Sequence, residues 1–128
     1  PMVMKKMAEY AAGALSGKEG KTLYVNFVMQ VSPDCDCYGH SDAPIVPDIG
    51  ILASTDPVAV DQACVDLVNN APGLPGTALK KGHEPGGDKF RGVHPFINGN
   101  ITLEHAEKIG LGSREYELIP LQPKKENW

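Results

Sequence analysis

Two cysteines, three aspartates and a histidine lie within one short segment of this 128-residue chain, residues 32–42. Side chains at positions i and i+2 of an extended loop point the same way, so the sulfurs of Cys35 and Cys37 can reach one metal ion. Sulfur ligands favour zinc, copper(I) or iron–sulfur chemistry. His40 can fold back as a nitrogen ligand. We therefore predict a metal site, holding zinc or iron, on Cys35, Cys37 and His40.

A complete structural zinc site usually shows two spaced pairs of ligands, and only one pair is visible here. The alternative is two thiols in a turn that bind no metal. Aspartates near the cysteines can supply oxygen ligands, and histidines of a later loop can close the site if the fold brings them near. These further candidates are Asp34, Asp36, Asp42, His83 and His94.

Asp56 is a candidate of a different kind, because it directly precedes a proline at the start of a helical pattern. A capping carboxylate followed by proline at the first helical position predicts a helix over residues 57–70. Cys64 lies on the apolar face of this helix and is expected in the core. The junction between a strand and a helix also directs backbone N–H groups at a crevice where anions bind. We expect this junction to share its crevice with the cysteine segment.

The remaining pattern predicts the elements that position these residues. A helix with Met4, Met7 and Leu15 on its buried stripe is followed by strands over residues 22–31 and 45–54. A Gly- and Pro-rich loop covers residues 71–100, Thr102 caps a short helix, and residues 116–121 form a last strand. The fold class is α/β: a small layered sheet of about three or more strands with flanking helices and a long loop.

The domain organisation expected is one α/β domain over residues 1–128, or the carboxy-terminal fragment of a larger protein. The first helical pattern begins without a capping residue, which favours a fragment; removal of an initiator methionine before Pro1 is the alternative. So thin a sheet indicates that another domain, or a second copy in a homo-oligomer, completes it.

Composition narrows the class of function. The net charge of −4 gives no basic footprint, so nucleic acid is not the expected partner. No apolar run approaches the length that spans a membrane. The three cysteines do not form the framework of a secreted disulfide protein, which favours a reducing, cytoplasmic setting.

Several runs of the sequence carry a family resemblance. One of them, residues 33–37, reads Pro-Asp-Cys-Asp-Cys, and the others are residues 26–29, 41–50, 56–61, 82–83, 89–90, 93–95 and 104–117. Together they resemble an uncharacterised family of iron–sulfur-centre proteins that contain a ferredoxin-like insert. The strand–Asp-Pro–helix unit is common to a wider family of domains of unknown function. The chain is similar to the carboxy-terminal part of these proteins.

The resemblance implies a bacterial or archaeal cytoplasmic protein whose iron–sulfur clusters bind to two cysteine-rich motifs upstream of this segment. The chain has no Cys-x-x-Cys-x-x-Cys run, so the clusters are expected in the full-length parent and not here. The implied function is redox chemistry or electron transfer, with the ferredoxin-like module or another redox protein as partner. The alternative is a binding or scaffolding domain that docks the module or a partner without chemistry of its own.

Overall fold

A computed structural model of the chain describes residues 2–35 and 37–121, and these residues form an α/β structure, as the sequence predicts. The described part has two strands, fewer than the three or more expected. None of its helices is both long enough and apolar enough to cross a membrane. In chain order the elements are α1 (Met2–Leu15), β1 (Tyr24–Val28), β2 (Gly50–Ser54), α2 (Pro57–Asn70), α3 (Lys89–Val93) and α4 (Asn100–Lys108).

The two strands pair antiparallel, from Tyr24 opposite Ser54 to Val28 opposite Gly50. Both are shorter than predicted because the chain turns sharply where the sequence remains apolar. Gln30 has a φ of 49°, which ends the extended run of β1. Ile45 and Val46 are buried in a loop that leads into β2, so their apolar character reflects core packing without strand pairing.

The predicted last strand, residues 116–121, is not formed. Within the described residues this segment pairs with neither strand, and the Tyr116 hydroxyl donates a hydrogen bond of 2.9 Å to Asp66 on α2. Contact with a helix therefore replaces the sheet contact that the apolar pattern indicated.

The helices follow the sequence more closely. α2 spans the predicted residues, whereas α4 begins at Asn100 with Gly99 at its cap, so the prediction of Thr102 as the capping residue is wrong. α3 is an extra helical turn within the predicted loop. The burial expected of Met7 is also wrong: its side chain is 59% exposed, and Ala8 is the buried residue of α1.

α2 covers one face of the sheet and contacts both strands, whereas α3 and α4 pack against α2. Val28 points into the core beside Val46 and Val68 of α2. The predicted alternation of β1 is kept, but its more apolar face points away from the helices, so that Phe27 is 66% exposed. On the neighbouring strand Ile51 is 60% exposed on the same side, opposite Phe27. The outer face of the sheet is therefore apolar and uncovered by the described residues.

One lysine fastens the long loop to this layer. Lys89 is 0% exposed, and its ammonium donates to the backbone carbonyls of Asn69, Glu84 and Gly87 at 2.7, 2.7 and 3.3 Å. The Asn69 carbonyl lies in the last turn of α2, where carbonyls lack helical partners. Burial lowers the pKa of Lys89, with Glu84 opposing the shift. Because Lys89 begins α3, this anchor sets where α3 and the residue after it lie.

Candidate functional site

The cysteines lie in a hydrogen-bonded turn that begins at Cys35, seven residues after the last residue of β1. The Tyr38 N–H donates to the Cys35 carbonyl at 2.8 Å, which closes a four-residue turn around both cysteines. Within it, the Cys37 thiol donates to the Cys35 sulfur at 2.7 Å, and the Cys37 N–H donates to the same sulfur at 3.4 Å. Both side chains are exposed. The two sulfurs therefore lie together, and the metal site predicted on them and His40 stays a prediction.

His94 ties this segment to α3. It follows the last residue of that helix, and its Nε2 lies 2.9 Å from the Pro33 carbonyl and 3.5 Å from Asp34 Oδ1. A carbonyl oxygen only accepts, so Nε2 carries the hydrogen in this contact, and in a neutral imidazole the lone pair is then on Nδ1. Of the two loop histidines proposed from sequence, His94 is thus the one that the structure brings against the cysteine segment.

The other predicted ligands have different surroundings. The His40 ring is exposed and lies edge-on to Tyr38, with 6.0 Å between ring centroids. His83 lies against Gly73, whose N–H donates to the His83 carbonyl at 2.7 Å. Asp42 accepts from the adjacent Ala43 N–H at 2.7 Å. Asp36 lies outside the described residues.

These positions define what the segment can do chemically. In the described part of the chain, no cluster of three or more histidine, cysteine or acidic side chains is arranged to hold a metal ion. Two adjacent thiols are half of a tetrahedral soft-metal site. The chain also has only three cysteines in all, so it cannot supply the four thiolates of an iron–sulfur cluster. What the turn presents is a pair of thiols that can bind together or react together.

The third cysteine has a different environment. Cys64 lies on α2 and packs against the core, as predicted from sequence. Burial raises the pKa of its thiol; the amide of Asn26, which donates to the sulfur at 3.4 Å, opposes this shift, and the nearby charge of Asp61 adds to it. A thiol held protonated is a poor nucleophile. The reactivity of Cys64 can therefore serve as an internal control for that of Cys35 and Cys37.

Asp56 caps α2 and also holds a distant segment. Its Oδ1 accepts from the N–H groups of Val58 and Ala59 at 2.8 and 3.0 Å, which confirms the predicted cap. Its Oδ2 accepts from the Ser113 N–H at 2.9 Å. A Cβ on the neighbouring Gly112 would overlap this carboxylate, so only glycine fits there without a shift. The carboxylate therefore has three backbone donors.

Asp56 does not share a crevice with the cysteine turn, and that prediction is wrong. Ser54, just before Asp56, pairs with the first residue of β1, whereas the cysteine turn follows the last residue of β1. The two sites lie at opposite ends of the sheet. In an antiparallel pair the carboxyl ends of the two strands lie at opposite ends of the sheet. The prediction assumed instead that the segments following β1 and β2 would meet at the same end.

A groove that sequence reasoning missed runs beside β1. Its volume is about 590 Å³, and it is lined by residues 25–32 together with residues of α2, α3 and α4. Ser32, at one end of this lining, begins the cysteine segment. The alternation of apolar and polar residues along β1 indicates the two faces of the strand, and it carries no signal for the unpaired edge beside which this groove lies.

Comparison with known protein families gives a match to about half of the chain. A family model described as "Domain of unknown function (DUF362)" matches residues 2–66, just over half of the 128 residues. The matched part contains α1, both strands, the cysteine turn and most of α2. No curated protein and no solved structure matches the chain.

Proposed function

We propose that this chain, which belongs to the DUF362 family of domains of unknown function, is the thiol-bearing redox module of an iron–sulfur protein. The observation that carries the proposal is the 2.7 Å separation of the Cys35 and Cys37 sulfurs in one exposed turn. Two thiols so placed can exchange two electrons by closing and opening a disulfide. A ferredoxin-type module as electron partner rests on the family resemblance of the sequence.

With a disulfide-bearing protein as partner, the exchange needs no other reactant. Cys35 is the attacking sulfur, because the N–H and thiol donors of Cys37 stabilise its thiolate. Its thiolate attacks one sulfur of the partner disulfide, and the other sulfur leaves as a thiolate and takes a proton. Cys37, deprotonated in turn, then displaces the second partner sulfur from the mixed disulfide. Two thiols are oxidised to one disulfide, and the partner disulfide is reduced to two thiols.

The direction of exchange follows from ring size. A disulfide between residues 35 and 37 closes a small ring inside a turn, and strained disulfides are more easily reduced than structural ones. We therefore expect a reduction potential less negative than the roughly −270 mV of thioredoxin. Thiol–disulfide exchange is reversible, so the strained turn is favoured as the electron acceptor, and the steps above then run in reverse, from a partner dithiol to the disulfide of Cys35 and Cys37.

Redox titration with glutathione mixtures, read by mass spectrometry after alkylation, tests this. The expected product of oxidation has lost two hydrogens and returns to the dithiol with dithiothreitol. Cys37→Ser should stop at the mixed disulfide with glutathione, whereas Cys64→Ser should behave as the parent chain. Oxidation of Cys35 and Cys37 no faster than that of Cys64, with no intramolecular disulfide at any potential, would refute the redox function.

Metal binding by the same thiols is the second use of this turn, and it is supported by the chemistry of the donor pair. Zinc or iron would take Cys35 and Cys37 as two ligands, with His40 or the Nδ1 of His94 as the nitrogen candidates. Elemental analysis of anaerobically purified protein separates this use from disulfide chemistry. Metal that is retained by the parent chain and lost from Cys35→Ser/Cys37→Ser supports metal binding. Negligible metal in both proteins would rule out metal binding by this chain and leave disulfide chemistry as the use of the turn.

A non-catalytic docking function is the alternative, and the uncovered apolar face of the sheet favours it. Phe27 and Ile51 lie side by side on that face and are mostly exposed. Such a face is typical of a surface that another module covers. Retention of partner binding in the Cys35→Ser/Cys37→Ser variant, together with loss of binding in Phe27→Lys, would assign the chain to docking.

A further inference from the structure

One edge of β1 has no partner strand among the described residues. Among the described residues β1 pairs only with β2, and residues of an antiparallel strand direct their N–H and C=O groups alternately to the two sides. The Val28 carbonyl accepts from the Ile49 N–H at 2.9 Å, so Val28 faces the β2 side. Val25 and Phe27 therefore direct their backbone groups to the other edge. That edge carries a row of donors and acceptors for a further strand.

The helix layer extends beyond this edge. The groove beside β1 is lined by Asp61 and Val65 of α2, by Phe90 of α3, and by Asn100 and Leu103 of α4. No β2 residue is among the described residues that line it, which places it on the outer side of β1. A strand seated there would gain backbone pairing along one edge and a helical cover on one face.

The shape of this edge disfavours a second copy of the chain as its occupant. Two copies joined by antiparallel β1 edges would be related by a two-fold axis perpendicular to the sheet. Both helix layers would then lie on the same face. The part of each layer that extends past β1 would collide with α2 of the other copy, which already covers that copy's β1. The edge therefore admits a single extended segment.

The charges of the groove describe that segment further. Asp61 and Asp88 both line it, and Arg91 is the single cation among the described residues of the lining. Asp88 caps α3 and lies 4.0 Å from the Arg91 guanidinium. Asp61 accepts from Asn26 and has no cation within ion-pair distance among the described residues. A bound segment would complement this groove if the face that it turns to the helices carried a basic side chain between two apolar ones.

We propose that the edge of β1 is a peptide-binding site, in which an extended segment of a partner protein adds a third strand to the sheet. The segment carries alternating apolar side chains with a basic residue between them, and it lies under α2 and the start of α4. Main-chain pairing supplies affinity, and the groove selects the alternate side chains. This site is independent of the thiol chemistry proposed for Cys35 and Cys37.

A synthetic peptide, acetyl-Thr-Val-Thr-Lys-Thr-Val-Thr-amide, is the probe, and fluorescence anisotropy of a labelled copy measures its binding. Two isomers with three N-methyl groups each provide matched controls: one is N-methylated on the last three threonines and the other on the two valines and the lysine. An extended strand presents these two sets of N–H groups on opposite edges. One isomer should bind at least about tenfold more weakly, and the other should bind within about threefold of the parent peptide. Equal binding by both isomers overturns strand addition.

Amide hydrogen exchange locates the bound peptide. The N–H groups of Val25 and Phe27 should become protected when it binds, whereas that of Val28, on the β2 side, should not change. Replacing the peptide's lysine with glutamate should weaken binding at least about tenfold, and equal affinity would overturn the basic segment. Cys35→Ser/Cys37→Ser should bind the peptide as the parent chain does, so the two proposals fail separately. The peptide-binding site is overturned if the peptide does not bind at millimolar concentration. It is also overturned if the chain is a dimer that the peptide dissociates, because a second copy would then occupy the edge of β1.

Discussion

Asp56 offers the sharpest test of how this fold is held together, because one carboxylate serves two separate structures. Its Oδ1 caps α2 and its Oδ2 holds the Ser113 N–H. Removing a capping carboxylate costs about 1 kcal/mol. A hydrogen bond to a charged acceptor contributes about 1.5–3 kcal/mol, and we take the low end for Ser113 because this contact is exposed to solvent. Asp56→Ala should therefore lower the free energy of unfolding by about 2.5 kcal/mol.

Asparagine separates the two contributions. Asn caps helices about as well as Asp, so Asp56→Asn keeps the acceptor for the start of α2. Its amide nitrogen replaces Oδ2, and a donor then faces the Ser113 N–H. We expect a loss of about 1.5 kcal/mol for this variant, from the Ser113 contact alone.

Urea unfolding followed by circular dichroism measures both variants, with Asp42→Ala as the control. Asp42 accepts only from its neighbour Ala43 among the contacts of the described residues, so its loss should stay within about 0.5 kcal/mol. An Asp56→Asn variant as stable as the parent chain would refute the role of Ser113. A loss below about 1 kcal/mol in Asp56→Ala would refute both contributions.

Three further predictions follow from the fold. Burial lowers the pKa of Lys89, so the unfolded chain binds this proton more tightly; the free energy of unfolding should therefore rise with pH between the lowered folded pKa and the ordinary value of 10.5. Lys89→Met should remove that rise in urea titrations, and an unchanged pH profile would contradict the buried ammonium. Gly92→Ala should lower the melting temperature, because its Cβ would overlap the Lys81 carbonyl, whereas Gly13→Ala, on an open helix surface, should stabilise by about 0.5–1 kcal/mol. The exposed face around Phe27 should make the chain self-associate, and sedimentation should show Phe27→Lys to be more monomeric; a stable monomer of the parent chain at high concentration would count against this.

The cysteine site was partly readable from sequence. Cys35 and Cys37 are two residues apart, so their convergence depends only on local backbone geometry. His94 and Asp34 are sixty residues apart, and their contact exists because α3 is fastened by Lys89. No pattern near His94 distinguishes it from His83, which the fold places elsewhere in the long loop.

The sequence by itself determined the local structures: α2 begins at Pro57 because a capping carboxylate and a proline precede its apolar stripe, and these signals act within one turn. The tertiary structure decided which face of β1 is buried. Both faces of that strand satisfy the same alternation, and the choice depends on where α2 docks. Asn26 is one of the residues that settle it, since its amide reaches Asp61 and Cys64 on that helix. Docking of this kind depends on contacts between residues far apart in the chain, and no spacing along the strand records them.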